Sequence, residues 1–170
     1  MTRRIEHRST SEWPAARVHE ALVDIDFLKE RLAELGGSDT ELLEHSSTDE
    51  ETHFKIRQGV SAEHLPSVVR TVVGGDLMLD RSESWRCQGP GRYTGEVAAA
   101  IPHVPGSITG SMWLTELGEG ERGSEFVVQG EVGVSVPLVA GKLEALAAER
   151  IQDLLADEMR FTYEWLERNS

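Results

Sequence analysis

The sequence predicts an α+β domain: an antiparallel sheet of about six or seven strands against which one long C-terminal helix packs. From Thr40 to about Val136 the apolar residues recur with a period of two between turn residues, as half-buried strands require. From Pro137 to about Trp165 the spacing becomes helical and no proline interrupts it. No internal repeat, linker or low-complexity segment divides the chain, so a single domain over 1–170 is expected.

Residues Arg4 to Ser11 suit a first strand, and Ser11-Glu12-Trp13-Pro14 reads as a helix start with a capping serine and a proline in the first turn. Val18, Leu22, Ile25, Leu28, Leu32 and Leu35 then lie at helical spacing, in one helix or in two broken near Asp24 to Asp26, ending at Gly36-Gly37. Phe54, Ile56 and Val60 share one strand parity, opposite His53, Lys55 and Arg57. Pro66 to Val73 reads as a short helix, because a proline opens it and Gly74-Gly75 closes it. Leu79, Trp85 and Cys87 take the inward parity of the next strand, followed by Tyr93 and Val97, then Met112 and Leu114, then Phe126, Val128, Val132 and Val134. On the last helix, Val139, Leu143, Leu146, Ala147, Leu154, Phe161 and Trp165 form the expected inner stripe, with Glu144, Glu149, Asp153, Asp157, Arg160 and Glu164 off it.

The 17 Lys and Arg against 30 Asp and Glu give a net charge of −13, which repels nucleic acid and anionic membrane surfaces. Cys87 is the single cysteine, so no internal disulfide forms. No secretory-type segment and no run of ~20 apolar residues is present. A soluble, cytoplasmic protein without integral membrane association is expected.

The order strand, helical segment, antiparallel strands and long terminal helix resembles the helix-grip superfamily, which includes START-like (SRPBCC) lipid-transfer domains and aromatic polyketide cyclases. Leu65-Pro66, Trp85 at a strand end, and Val136-Pro137-Leu138 leading into Gly141-Lys142-Leu143-Glu144 resemble a bacterial branch known as domain of unknown function 2505. The resemblance spans nearly the whole chain and its motifs are structural. It implies the helix-grip fold, a curved antiparallel sheet wrapped around the long C-terminal helix, with a cavity between them where relatives hold lipids, hormones, polyketides or aromatic compounds. Fold alone does not transfer those functions. From the residues, Gly95, Ala99, Gly110 and Gly130 share the inward parity and either leave room for a guest or let the sheet bend.

Charge on the buried parity is the main anomaly. Arg81 and Glu83 fall between Leu79 and Trp85, while Arg150 and Glu158 fall within the apolar arc of the last helix. Buried charges are costly unless paired. Either at least two of these face the cavity and pair across it, or a pair sits at the cavity rim, or a local bulge turns Arg81 and Glu83 to solvent. His45 and His53 flank Asp49-Glu50-Glu51, a spacing too loose for zinc, so an exposed polar hairpin is the simpler expectation. His103, between Pro102 and Pro105, suits a surface loop better than an acid or base, because no partner for it can be named. Cys87 reads as a small core residue rather than an activated thiol. Gly118 to Gly123 is an acidic hairpin, not a phosphate loop, and no cofactor or metal is implied. Trp113 has outward parity and, if exposed, marks a partner surface.

The function these features predict is binding of a small hydrophobic or amphipathic ligand, which the resemblance implies is lipid-like, polyketide-like or aromatic. Its wall would come from Phe54, Ile56, Leu79, Trp85, Tyr93, Val97, Met112, Leu114, Leu154 and Phe161, with Arg81 or Arg150 orienting an anionic head group and Glu83 and Glu158 as their partners. A cyclase or dehydratase using the same cavity, and a protein-interaction module with a filled core, are the alternatives.

Overall fold

The computed structural model describes residues 2–37, 39–60, 67, 70–71, 77–101 and 104–170. A seven-stranded antiparallel sheet runs in the order β1-β7-β6-β5-β4-β3-β2. Its strands are β1 (Thr2–Ser11), β2 (Glu41–Ser47), β3 (Glu51–Val60), β4 (Leu77–Gly89), β5 (Arg92–Ala100), β6 (Gly106–Glu116) and β7 (Ser124–Val134). Helices α1 (Ala15–Leu22) and α2 (Ile25–Leu35) connect β1 to β2, and α3 (Ala140–Arg168) ends the chain. This is the helix-grip arrangement: β2 to β7 meander, and β1 returns beside β7. Among the described residues no helix is long and apolar enough to cross a membrane.

Two helices, rather than one, follow β1. The chain leaves helical geometry at Val23-Asp24, where Asp24 Oδ2 accepts the Phe27 amide at 2.9 Å and caps α2. The break resets the helical phase. Phe27, Leu28, Arg31 and Leu32 are therefore the buried face of α2, and Ile25, expected inside, is 41% exposed. Ser11 belongs to β1 instead of capping α1, whose N-cap is Pro14. Gly37 ends the segment at φ +76, where a Cβ would lie 1.8 Å from the Gly59 carbonyl oxygen. Ser67, Arg70 and Thr71 are helical, with the Thr71 hydroxyl donating to the Ser67 carbonyl, and the rest of the helix expected over Pro66 to Val73 lies outside the described residues.

The buried side of α3 carries Leu143, Glu144, Ala148, Leu155, Glu158, Met159, Phe161, Thr162 and Leu166. It is rotated by roughly a quarter turn from the expected stripe. Arg150 is consequently exposed and Glu144 buried, the reverse of their predicted positions. A stripe drawn through apolar residues counts a carboxylate as outward, but Glu144 is inward because Oε2 accepts the Val134 amide at 2.9 Å. Glu144→Ala is expected to cost about 1.5–3 kcal/mol, the range for a hydrogen bond to a charged group. Hydrogen exchange should localise the effect to the first turns of α3 and the end of β7, and unchanged exchange there would refute the role.

Candidate functional site

The concave face is built in rows by the antiparallel register. Arg81 lies between Ile56 of β3 and Ala99 of β5, and the row continues through Ile108 and Val132. In the next row Glu83 lies between Phe54 and Val97, followed by Gly110, Gly130 and Ile5. Then come Trp85, Gly95, Met112, Val128 and His7. The inward parity of the β3 to β7 positions in these rows was legible from the period-two pattern, whereas Ile5 and His7 of β1 were not singled out.

Between this face and the first half of α3 lies a cavity of about 50 Å³. Its walls include Leu79, Arg81, Val97, Ala99, Ile108 and Met112 from the sheet and Ile151, Leu154 and Leu155 from α3. A second space of about 30 Å³ adjoins it toward the β5–β6 connection and shares Ala99 and Ile108. The inward glycines serve the backbone as well as the space: a Cβ on Gly130 would lie 2.3 Å from the Thr109 carbonyl oxygen, and one on Gly95 2.9 Å from the Met112 methyl. Five of the predicted wall or head-group residues, Leu79, Arg81, Val97, Met112 and Leu154, line the cavity. Phe54, Ile56, Trp85 and Leu114 instead fill the core, and Phe161 packs on Phe27 with ring centroids 5.6 Å apart. Tyr93 stacks on His19 at 4.2 Å.

Beside the cavity the charged residues form one buried cluster. Arg81 Nη1 donates to both carboxylate oxygens of Glu158, at 3.0 and 2.8 Å, and Arg81 Nε lies 2.9 Å from Glu83 Oε2, close enough to pair but not aligned as a hydrogen bond. Gln58 Nε2 reaches Glu158 Oε2 at 3.5 Å. Arg31 of α2 completes the set, 3.9 Å from both Glu83 and Glu158. Burial pushes the Glu158 carboxyl up, but the charges of Arg31 and Arg81 and the hydrogen bonds from Arg81 and Gln58 outweigh it and hold it below its usual value. Burial likewise pulls the Arg81 guanidinium down, and Glu158 and Glu83 reverse that, leaving it above its usual value. Of the four charged candidates, Arg81, Glu83 and Glu158 therefore pair, Arg81 alone lining the cavity, and Arg150 stands apart in solvent.

Sequence reasoning missed Arg31, and also His7 and His19, whose Nε2 atoms are buried without a hydrogen-bond partner among the described residues. Parity marks His7 as inward, since it sits opposite Val128. Burial holds both imidazoles below their ordinary value, outweighing Glu158 at His7 and Glu20 at His19. The unfolded chain therefore binds more protons than the native one once the pH approaches about 6.5, and stability falls as the pH drops through that region. Glu158 does not contribute there, because its folded value is held below its usual one and its stabilisation is lost only at more acid pH. The urea midpoint is expected to be lower at about pH 5.5 than at about pH 7.5, with the difference reduced in His19→Phe. Equal midpoints at the two pH values would contradict this.

The remaining candidates fall elsewhere. His45 pairs with Phe54 and His53 with Ser46, so this one-residue offset puts the histidines on opposite faces. His45 Nε2 donates to the Val23 carbonyl at 2.8 Å, and His53 lies 4.0 Å from Glu44. Cys87 is exposed at the sheet end rather than buried, its Sγ 3.3 Å from the Gly89 carbonyl. His103 lies outside the described residues. Trp113 is 37% exposed on the convex face.

Residues 6–166 match the family described as "Protein of unknown function (DUF2505)". An uncharacterized protein of Mycobacterium tuberculosis (strain ATCC 25618 / H37Rv) is 30% identical over 175 residues, covering 99% of each chain. Among solved structures, the Zhui aromatase/cyclase from Streptomyces sp. R1128 superposes with TM-score 0.55 at 17% identity, covering 99% of this chain and 95% of that one. A STAR-related lipid transfer protein from Xanthomonas axonopodis does so with TM-score 0.60 at 16% identity, covering 95% and 84%. Similarity at this level establishes the shared fold.

Proposed function

The chain belongs to the DUF2505 family of proteins of unknown function, and from the site its fold builds here we propose that it binds a small apolar or amphipathic molecule between the concave sheet and α3. The observation that carries this reading is an apolar cavity touched by one buried guanidinium. Arg81 lines the space, and its Nη2 makes no hydrogen bond among the described residues. Two structural neighbours whose names include aromatase/cyclase and lipid transfer protein support a ligand-holding role for this architecture.

The charge balance bears on the ligand's polar end. Arg31 and Arg81 face Glu83 and Glu158, so the formal charges cancel, and an anionic head group would meet two carboxylates. A carbonyl or hydroxyl oxygen accepting from Arg81 fits better than the anion expected from sequence. The cavity of about 50 Å³ has space for a few waters, against ~300–1,000 Å³ for a typical ligand site. Binding therefore requires the half-buried Ile151 and Leu154 of α3 to swing aside and enlarge the cavity. Cyclase or dehydratase chemistry needs an acid or base at the reacting atom. Among the described lining residues Arg81 is the only ionisable side chain, which favours binding without turnover.

Native mass spectrometry of the purified protein should show a noncovalent adduct, and the neutral apolar dye Nile red should bind saturably. Leu154→Trp fills the space and is expected to weaken dye binding at least about tenfold, or ~1.4 kcal/mol. No adduct together with no saturable dye binding would overturn the reading, as would dye binding that ignores Leu154→Trp.

A further inference from the structure

The buried charge cluster carries hydrogen-bonding groups that its own members leave unused. Arg31 is 3% exposed, and its Nε and Nη2 have no hydrogen-bond partner among the described residues. The same holds for Gln58 Oε1 and Glu83 Oε2. Arg81 Nε is a fifth such atom, but it faces Glu83 Oε2 at 2.9 Å. The unmet groups are therefore chiefly the two Arg31 donors and the Gln58 acceptor, with Glu83 Oε2 open to a second donor, all around one contact between α2 and the sheet. Buried polar atoms in folded proteins are satisfied with few exceptions, so this gathering calls for a partner. The Arg31 nitrogens stand 3.9 Å from Glu83 and from Glu158. That separation is too long for a direct hydrogen bond and is within the reach of one bridging molecule.

We propose that a single internal water molecule binds between Arg31, Gln58 and Glu83 and is a fixed part of the contact between α2 and β3–β4. The chemistry of the site selects this occupant. Its partners are mixed, so the guest must both donate and accept. The two guanidinium groups are balanced by two carboxylates, so an ion of either sign would leave a buried net charge. A water has this donor and acceptor capacity, no charge, and several buried polar partners here, as internal waters typically do. It explains why α2 places an arginine at this position without a direct hydrogen bond to either carboxylate. It is independent of the ligand proposed above, because Arg31, Gln58 and Glu83 do not line the cavity.

A crystal structure of the full chain, at a resolution that shows ordered solvent, is expected to place a water within hydrogen-bond distance of Arg31 Nε or Nη2 and of Gln58 Oε1 or Glu83 Oε2. In solution, the Arg31 Nε proton should show a nuclear Overhauser cross-peak to long-lived water, lost in Gln58→Leu. Arg31 found hydrogen-bonded directly to either carboxylate with no water beside it would overturn the proposal. So would an ion in the density, or a cross-peak unaffected by Gln58→Leu.

Discussion

Glu158→Ala is expected to destabilise the protein by about 3–5 kcal/mol, the cost of breaking a buried ion pair from one side. Glu158 sits where the sheet, α2 and α3 meet, accepting two hydrogen bonds from Arg81 and one from Gln58, with Arg31 at 3.9 Å. Removing it leaves two buried guanidinium groups to share Glu83 alone. A loss of this size is a large part of the ~5–15 kcal/mol that holds a domain together. The double variant Arg81→Met with Glu158→Leu is expected to be more stable than Glu158→Ala, because it removes one charge of each sign and leaves Arg31 and Glu83 balanced. Urea unfolding of both variants checks this. A double variant that is the less stable of the two would show that the cluster stabilises through its hydrogen bonds rather than its charge balance.

Phe27→Ala is expected to cost about 3–5 kcal/mol, as for an aromatic removed from a packed core. Phe27 is fully buried on α2, with its ring centroid 5.6 Å from Phe161 and 5.3 Å from Trp165 of α3. The Arg31 guanidinium lies 5.6 Å from the centre of the same ring. Truncation therefore opens a void between α2 and the second half of α3 and removes the surface on which Arg31 rests. The effects of Phe27→Ala and Arg31→Met are expected to be less than additive, since the two side chains are in contact. Strict additivity in thermal unfolding would show that the stacking contributes nothing.

Strand parity was readable because it needs only alternation. It set Arg81 and Glu83 on the concave face and marked Trp85 as buried, as found. Helical phase was less readable. The break at Asp24 shifts the face of α2, so Arg31 enters the interior one turn after Phe27, where an arginine in an amphipathic helix looks like an ordinary surface residue. On α3 the same difficulty exposed Arg150 and buried Glu144, whose inward position depends on the Val134 amide of another element. The family resemblance conveyed the architecture but not the size of the cavity. That depends on how far Ile151 and Leu154 reach toward Ala99 and Met112, and no pattern along the chain encodes it.

The grip of α3 also governs how one molecule meets another. The Glu6 amide points away from β7, and Gln152 Oε1 takes it at 3.0 Å, so the terminal helix caps the outer edge of β1. The opposite edge, β2, is short, carries Glu41 and Glu44, and is interrupted by a bulge between Leu42 and Glu44. Such devices discourage strand-to-strand self-association. Release of α3 would uncover the β1 edge, so conditions that loosen this helix are expected to promote clumping before the sheet itself melts.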